Sequence, residues 1–196
     1  MRTVIGVVHA AHTAATGVWL AAVVGAGMSA AVIFPEMKSL DARLPDHEGY
    51  GGAHWSLAAG RVAARVFAVA ESVGLACAAV VMITGVVVWG VLSMRGGAGR
   101  WLAMARGLAC GAAAGLAGFD ATILRPRMDQ NAEDYWSAAR AGLTDVALGA
   151  KRLFDADHPI ASGLLMALAA SLMANLVLCA WPSPGLIGRP AGRGSL

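Results

Sequence analysis

Charge is scarce in this chain. Only 14% of its 196 residues are Asp, Glu, Lys or Arg, against about 25% in soluble domains. Such a surface would be too apolar for a water-soluble fold of this size. Cysteine is also sparse. Cys77, Cys110 and Cys179 each fall singly inside an apolar run. That spacing suits neither a disulfide framework nor a zinc set, so they read as small buried apolar residues. No nucleotide-binding glycine loop, nucleophile elbow or HExxH motif is present, and the chain reads as non-enzymatic. A formal charge of +3 without a basic patch gives no case for nucleic acid as a partner. No stretch alternates apolar and polar residues over a strand's length, which argues against barrel strands.

What the chain has instead is apolar length. Hydrophobic residues make up 58%, with 25 glycines and a mean hydropathy of +0.63. Val4 to Phe34 carries no formal charge and is followed by Pro35 and Glu36. Roughly 20 apolar residues already cross a bilayer, and the run far exceeds the core of a cleaved signal. It is expected to stay as a helix. Three more runs follow, which predicts an all-α, polytopic four-helix transmembrane bundle. Its spans are expected at about 4–34, 57–94, 101–124 and 159–181, with outer loops at 35–56 and 125–158. The tail, 182–196, is rich in turn residues and is expected to be flexible and cytoplasmic.

Charge asymmetry sets the expected orientation. Arg2, Arg95, Arg100, Arg106, Arg189 and Arg193 fall on one side with no acid, while all 12 Asp and Glu fall on the other. By the positive-inside rule both termini are cytoplasmic, and the expected location is the bacterial inner membrane. Trp89, Trp101 and Trp181 would then mark the inner interface, Trp55 and Trp136 the outer one. Within the outer connection, Glu133 to Ala150 places Trp136, Leu143 and Val146 at near-helical spacing and predicts an interfacial helix.

Small residues recur every four positions on three spans. The ladders are Gly17, Ala21, Gly25 and Ser29; Gly107, Gly111 and Gly115; and Gly163, Ala167, Ser171 and Asn175. Such spacing lets helix backbones approach closely in lipid, and Asn175 would add an interhelical hydrogen bond. Glu71 and Asp120 are the acids nearest the membrane core. An intramembrane acid is usually paired, and Arg65 or Arg125 would serve Glu71.

Two histidine groups are candidates for cofactor chemistry. His9, His12, Thr13 and Thr16 share one helix face, roughly opposite the Gly17–Ser29 ladder. Histidine is the commonest metal ligand, so haem or a metal is the sharp reading and interhelical bonding the plain one. On the outer side, His54 and His158 with Asp157 would suit a divalent metal. Methionines such as Met82 and Met166 are scattered through the spans and read as core filling rather than copper ligands.

The run Gly17-Val18-Trp19-Leu20 through Phe34-Pro35 resembles the opening helix of the transmembrane protein 205-like family. Leu153-Phe154, His158 and Ala161-Ser162 resemble the start of that family's fourth helix. The likeness extends from Val8 to about Leu178. Departures are Ala21 and Ala22 in place of glycines, and an acidic segment after Pro35. The resemblance implies a four-helix integral membrane protein without established enzymatic activity, some relatives being associated with metal-drug tolerance. Taken together, three functions are open. The first is an accessory or interaction subunit that packs in the bilayer with other membrane subunits or itself. The others are a metal- or haem-binding membrane protein, and a small oligomeric transporter built on Glu71, Asp120 and Asn175.

Overall fold

The computed structural model describes residues 2–94 and 97–181; the expected flexible tail at 182–196 lies outside them. Five α-helices follow in order: α1 Arg2–Ser39, α2 His54–Ser93, α3 Gly97–Phe119, α4 Arg125–Arg140 and α5 Thr144–Ala180. A short 3-10 turn, Pro45–His47, lies between α1 and α2. A π-helical turn, Asp120–Leu124, joins α3 to α4 without a break. Among the described residues there is no strand.

Four helical rods are long and apolar enough to cross a membrane: α1, α2, the continuous α3–α4 rod, and α5. The fold is an all-helical bundle compatible with integration in a membrane, and the distribution of burial agrees. Val4, Val32, Ile83, Val86, Leu108 and Met166 point outward, each at least 64% exposed. His12, Thr16, Arg106 and Asn175 are turned in and buried. An apolar exterior around polar interior groups is stable only with lipid as the outer solvent.

The expected loops are mostly helix. α2 has 40 residues, about 60 Å at about 1.5 Å per residue, twice the ~30 Å hydrocarbon thickness. Its first turns, α4 and the start of α5 stand beyond the apolar spans. They close over their own core of Tyr50, Leu57, Tyr135, Ala138, Ala139 and Ala147. The segment 125–158 is therefore a helical hairpin and not a loop. The interfacial helix expected over Glu133 to Ala150 is broken in the middle. Gly142 takes φ +73°; its N–H bonds Ala139 O at 3.1 Å, and the Leu143 N–H bonds Ala138 O at 2.9 Å. This pair of bonds ends α4 in a Schellman cap, for which glycine is the usual residue. Trp136 and Val146 thus sit on different helices.

Pro35 falls inside α1 and the helix runs one turn past it. The first span therefore reaches Ser39 instead of stopping near Phe34. Pro126 has a larger effect. Its ring would clash with the carbonyl four residues back in a regular α-helix, and the π turn lies just there. In the π turn the Arg125 N–H bonds Asp120 O, so residues five apart stack on one face.

Asn175 makes the interhelical hydrogen bonds expected of it, but most of the small ladder residues make no close helix contact. A Cβ at Gly17, Gly25, Gly111, Gly115 or Gly163 would meet nothing within 4 Å, and Ala21 and Ala167 are exposed. The close approaches come from other glycines. A Cβ on Gly74 would lie 3.0 Å from Trp19 Nε1, and one on Gly85 would lie 3.5 Å from His12 Cε1. A four-residue step overshoots a full turn by about 40° at about 100° per residue. Three steps therefore rotate by about 120°, which is why Asn175 is buried while Gly163 is exposed.

Candidate functional site

Two polar groups lie inside the bundle, one towards each end. From the Arg2 end of α1 along every rod the order is the same: polar residues, here called the inner group, then an apolar layer, then charges, here called the outer group. Trp19, Val23, Val81, Ala113, Leu168 and Leu172 form that layer.

The inner group is organised by His12, which is 1% exposed. Asn175 Nδ2 lies 3.2 Å from His12 Nε2 and 3.3 Å from Thr16 Oγ1. Thr16 Oγ1 donates to the His12 carbonyl at 2.8 Å, so it can only accept from Asn175. The two amide hydrogens of Asn175 are then committed, one to Thr16 and one to His12 Nε2. Nε2 accepts, and the ring proton sits on Nδ1, 3.0 Å from Thr84 Oγ1. Thr84 in turn donates to the Val80 carbonyl at 2.6 Å. Cys110 and Cys179 close the edge, with Cys110 Sγ 3.9 Å from His12 Nε2 and Cys179 Sγ 3.9 Å from Asn175 Oδ1. Every donor has an acceptor, and the network fixes one neutral tautomer. It ties α1, α2, α3 and α5 together.

Beside it lies Arg106, buried at 4% exposure. Its Nε and Nη2 donate to the Leu178 carbonyl, and Nη2 also to Cys179 O at 3.4 Å. Those carbonyls belong to the last turn of α5, where no helical N–H remains to satisfy them. A guanidinium there also meets the negative end of the helix dipole. Its Nη1 has no partner. His12, Arg106 and Cys110 form one wall of a groove of about 220 Å³ between α2 and α3, otherwise lined by apolar residues.

The outer group is an ion cluster. Arg125 sits 3.7 Å from Glu71 and 3.5 Å from Asp120, with its guanidinium 5.9 Å from the Phe67 ring centroid. The π turn makes it possible by stacking Asp120 with Arg125. Of the two arginines considered for Glu71, Arg125 is the partner and Arg65 is exposed. A small cavity of about 70 Å³ opens beside the cluster, lined also by Trp19 and Leu165.

The outer histidines do not come together as a metal set. His54 Nε2 lies 2.9 Å from the Tyr50 carbonyl. Asp157 is held by Arg127 in a two-point pair, with Nε to Oδ2 at 2.8 Å. His158 is exposed and its ring lies 6.1 Å from that of Phe154. Among the described residues no three His, Cys, Asp or Glu side chains converge on a point. Haem ligation at His12 is also disfavoured, because both ring nitrogens are committed to Thr84 and Asn175. His9 keeps a buried Nδ1 without a partner but has no second histidine near it on another rod.

His47 was not anticipated as a buried group. It is 2% exposed, and neither ring nitrogen has a partner. Burial pushes its imidazole below the usual 6.5; Arg61, Arg140 and His54 add to the effect and Asp46 opposes it. The unfolded chain therefore binds the proton more readily than the folded one. Stability from this site is complete above about pH 6.5 and falls as pH drops through that value. We expect thermal unfolding in detergent to shift down between pH 7.5 and 5.5, and His47→Leu to flatten the shift.

Compared with protein-family models, curated proteins and solved structures, the chain matches none.

Proposed function

We propose that this chain is a non-enzymatic integral membrane subunit that packs against other membrane helices, either its own copies or partner chains. On this reading it resides in a bacterial inner membrane with both termini cytoplasmic. One observation carries the proposal. The small-residue ladders leave open space at Gly17 and Gly25 on α1 and at Gly115 on α3. In lipid, apolar side chains alone give helices little reason to associate, and small residues supply the close approach that does. The likeness to the transmembrane protein 205-like family supports the same reading, since it implies a four-helix protein without established enzymatic activity. Native mass spectrometry of protein extracted in mild detergent tests it. The wild type is expected to carry a second copy or a further chain. Paired Ala21→Leu and Gly25→Leu changes, which meet open space, should release the monomer without unfolding it. A wild type that is monomeric and alone overturns the proposal.

Transport is the second reading, favoured by the outer ion cluster. Two carboxylates and one guanidinium leave it formally negative beside a cavity, an arrangement suited to a cation or proton. A flux assay in liposomes that Glu71→Gln leaves unchanged would remove this reading.

A further inference from the structure

The groove between α2 and α3 combines features that the association reading does not use. Its walls are apolar, and its rim of Met82, Val86 and Trp89 is exposed to the bilayer at 43%, 67% and 52%. Its inner wall holds a buried cation. Arg106 caps α5 with two of its nitrogens, yet Nη1 is buried without a partner. Among the described residues no carboxylate lies within ion-pair distance of Arg106, whereas Arg125 has two and Arg127 has one. A buried donor left unmade is destabilising, and more so when it is charged. The site is thus complementary to an anion that arrives from the lipid side with an apolar body. Size narrows the choice. A cavity of about 150 Å³ takes one benzene, so about 220 Å³ has room for part of one acyl chain and not two.

We propose that this groove binds a single-chain lipid carboxylate of the fatty-acid class. The carboxylate accepts from Arg106 Nη1 and offsets its charge, while the chain lies against Val86, Met82 and Gly111. His12 does not contribute a donor, since its protonated nitrogen faces Thr84; it closes the back of the groove. Recognition is by one charged hydrogen bond and apolar contact, which predicts selectivity for the acid over its ester and little for chain identity.

The experiment is ligand titration at pH 8 by native mass spectrometry, with purified full-length protein and three probes: oleate, methyl oleate and phosphatidylglycerol. One equivalent of oleate is expected to bind, about tenfold or more tighter than methyl oleate, the difference expected of a charge-assisted hydrogen bond. Arg106→Gln should abolish the preference for acid over ester. Val86→Trp narrows the rim without touching Arg106 and should weaken both probes by about tenfold. If Arg106→Gln does not fold, the acid-to-ester ratio in the wild type and the Val86→Trp result decide the matter. Equal affinity for oleate and methyl oleate overturns the proposal, as does unchanged binding in Val86→Trp. Displacement of oleate by equimolar phosphatidylglycerol overturns it in favour of a phospholipid headgroup.

Discussion

His12→Leu should lower the unfolding free energy in detergent by about 2–4 kcal/mol, a large loss for a single change in a small bundle. Leucine fills much of the imidazole volume, so the cost is polar and not steric. Asn175 Nδ2 loses the acceptor 3.2 Å away, and its carboxamide is 1% exposed with no route to water. Thr84 loses its donor but keeps the Val80 carbonyl. Single interhelical hydrogen bonds in membranes are worth only about 0.6 kcal/mol on average. The larger figure arises because one side chain anchors bonds to two other helices and leaves a buried amide unmade. Asn175→Leu removes the orphaned partner. The double substitution His12→Leu with Asn175→Leu should therefore cost less than the sum of the two single changes. Additive costs, read from chemical or thermal unfolding, would show that the two residues do not share a network.

Arg125→Met should cost about 2 kcal/mol, the second largest effect. The guanidinium bridges Glu71 and Asp120. Its loss leaves two carboxylates facing each other where water is limited. Breaking a fully buried pair costs about 3–5 kcal/mol. Here all three side chains are about a quarter exposed, so part of that cost is screened. Adding Glu71→Gln should restore much of the stability by removing one of the two charges. A stability of the double variant no better than that of Arg125→Met would mean that repulsion is not the cause.

The helical stripe on α1 shows how far linear spacing carries. His9, His12, Thr13 and Thr16 fall on one face by their numbers alone, and the opposite face carries Gly17, Ala21 and Gly25. That the two faces differ was legible. Which one turns inward was not, because both are plausible interfaces in lipid: one offers hydrogen bonds, the other close backbone contact. The partners decide it. Thr84 and Asn175 lie 72 and 163 positions from His12, and no local pattern marks Thr84 at all. Arg106 had a signal, the lone charge inside the third apolar run, but its role as the cap of α5 depends on where that helix ends. Pairing Glu71 with Arg125 was among the expected options; the π turn that delivers Asp120 to the same arginine was not.

The outer region misled for a different reason. Polar composition between apolar runs reads as loop, yet here it covers helix surfaces that extend beyond the membrane. The local signal for a hairpin is Ala141-Gly142-Leu143, a helix stop between two helical stretches. Asp157 and His158 are neighbours in sequence but diverge in space, because consecutive residues on a helix point about 100° apart. One meets Arg127 and the other faces outward.

The sequence by itself determined that this is a helical protein with four membrane-length rods, though not where the third ends or the fourth begins. Lipid leaves only helices and closed barrels to satisfy the backbone, and long apolar runs without alternation imply helix. Tertiary structure decided which faces meet. It turned the His12 stripe into a closed network, left Gly17, Gly25 and Gly115 in open space, and set Arg106 beside a groove with one nitrogen free. Those outcomes rest on contacts between residues distant in the chain, where the choice between competing faces is settled by the whole bundle at once.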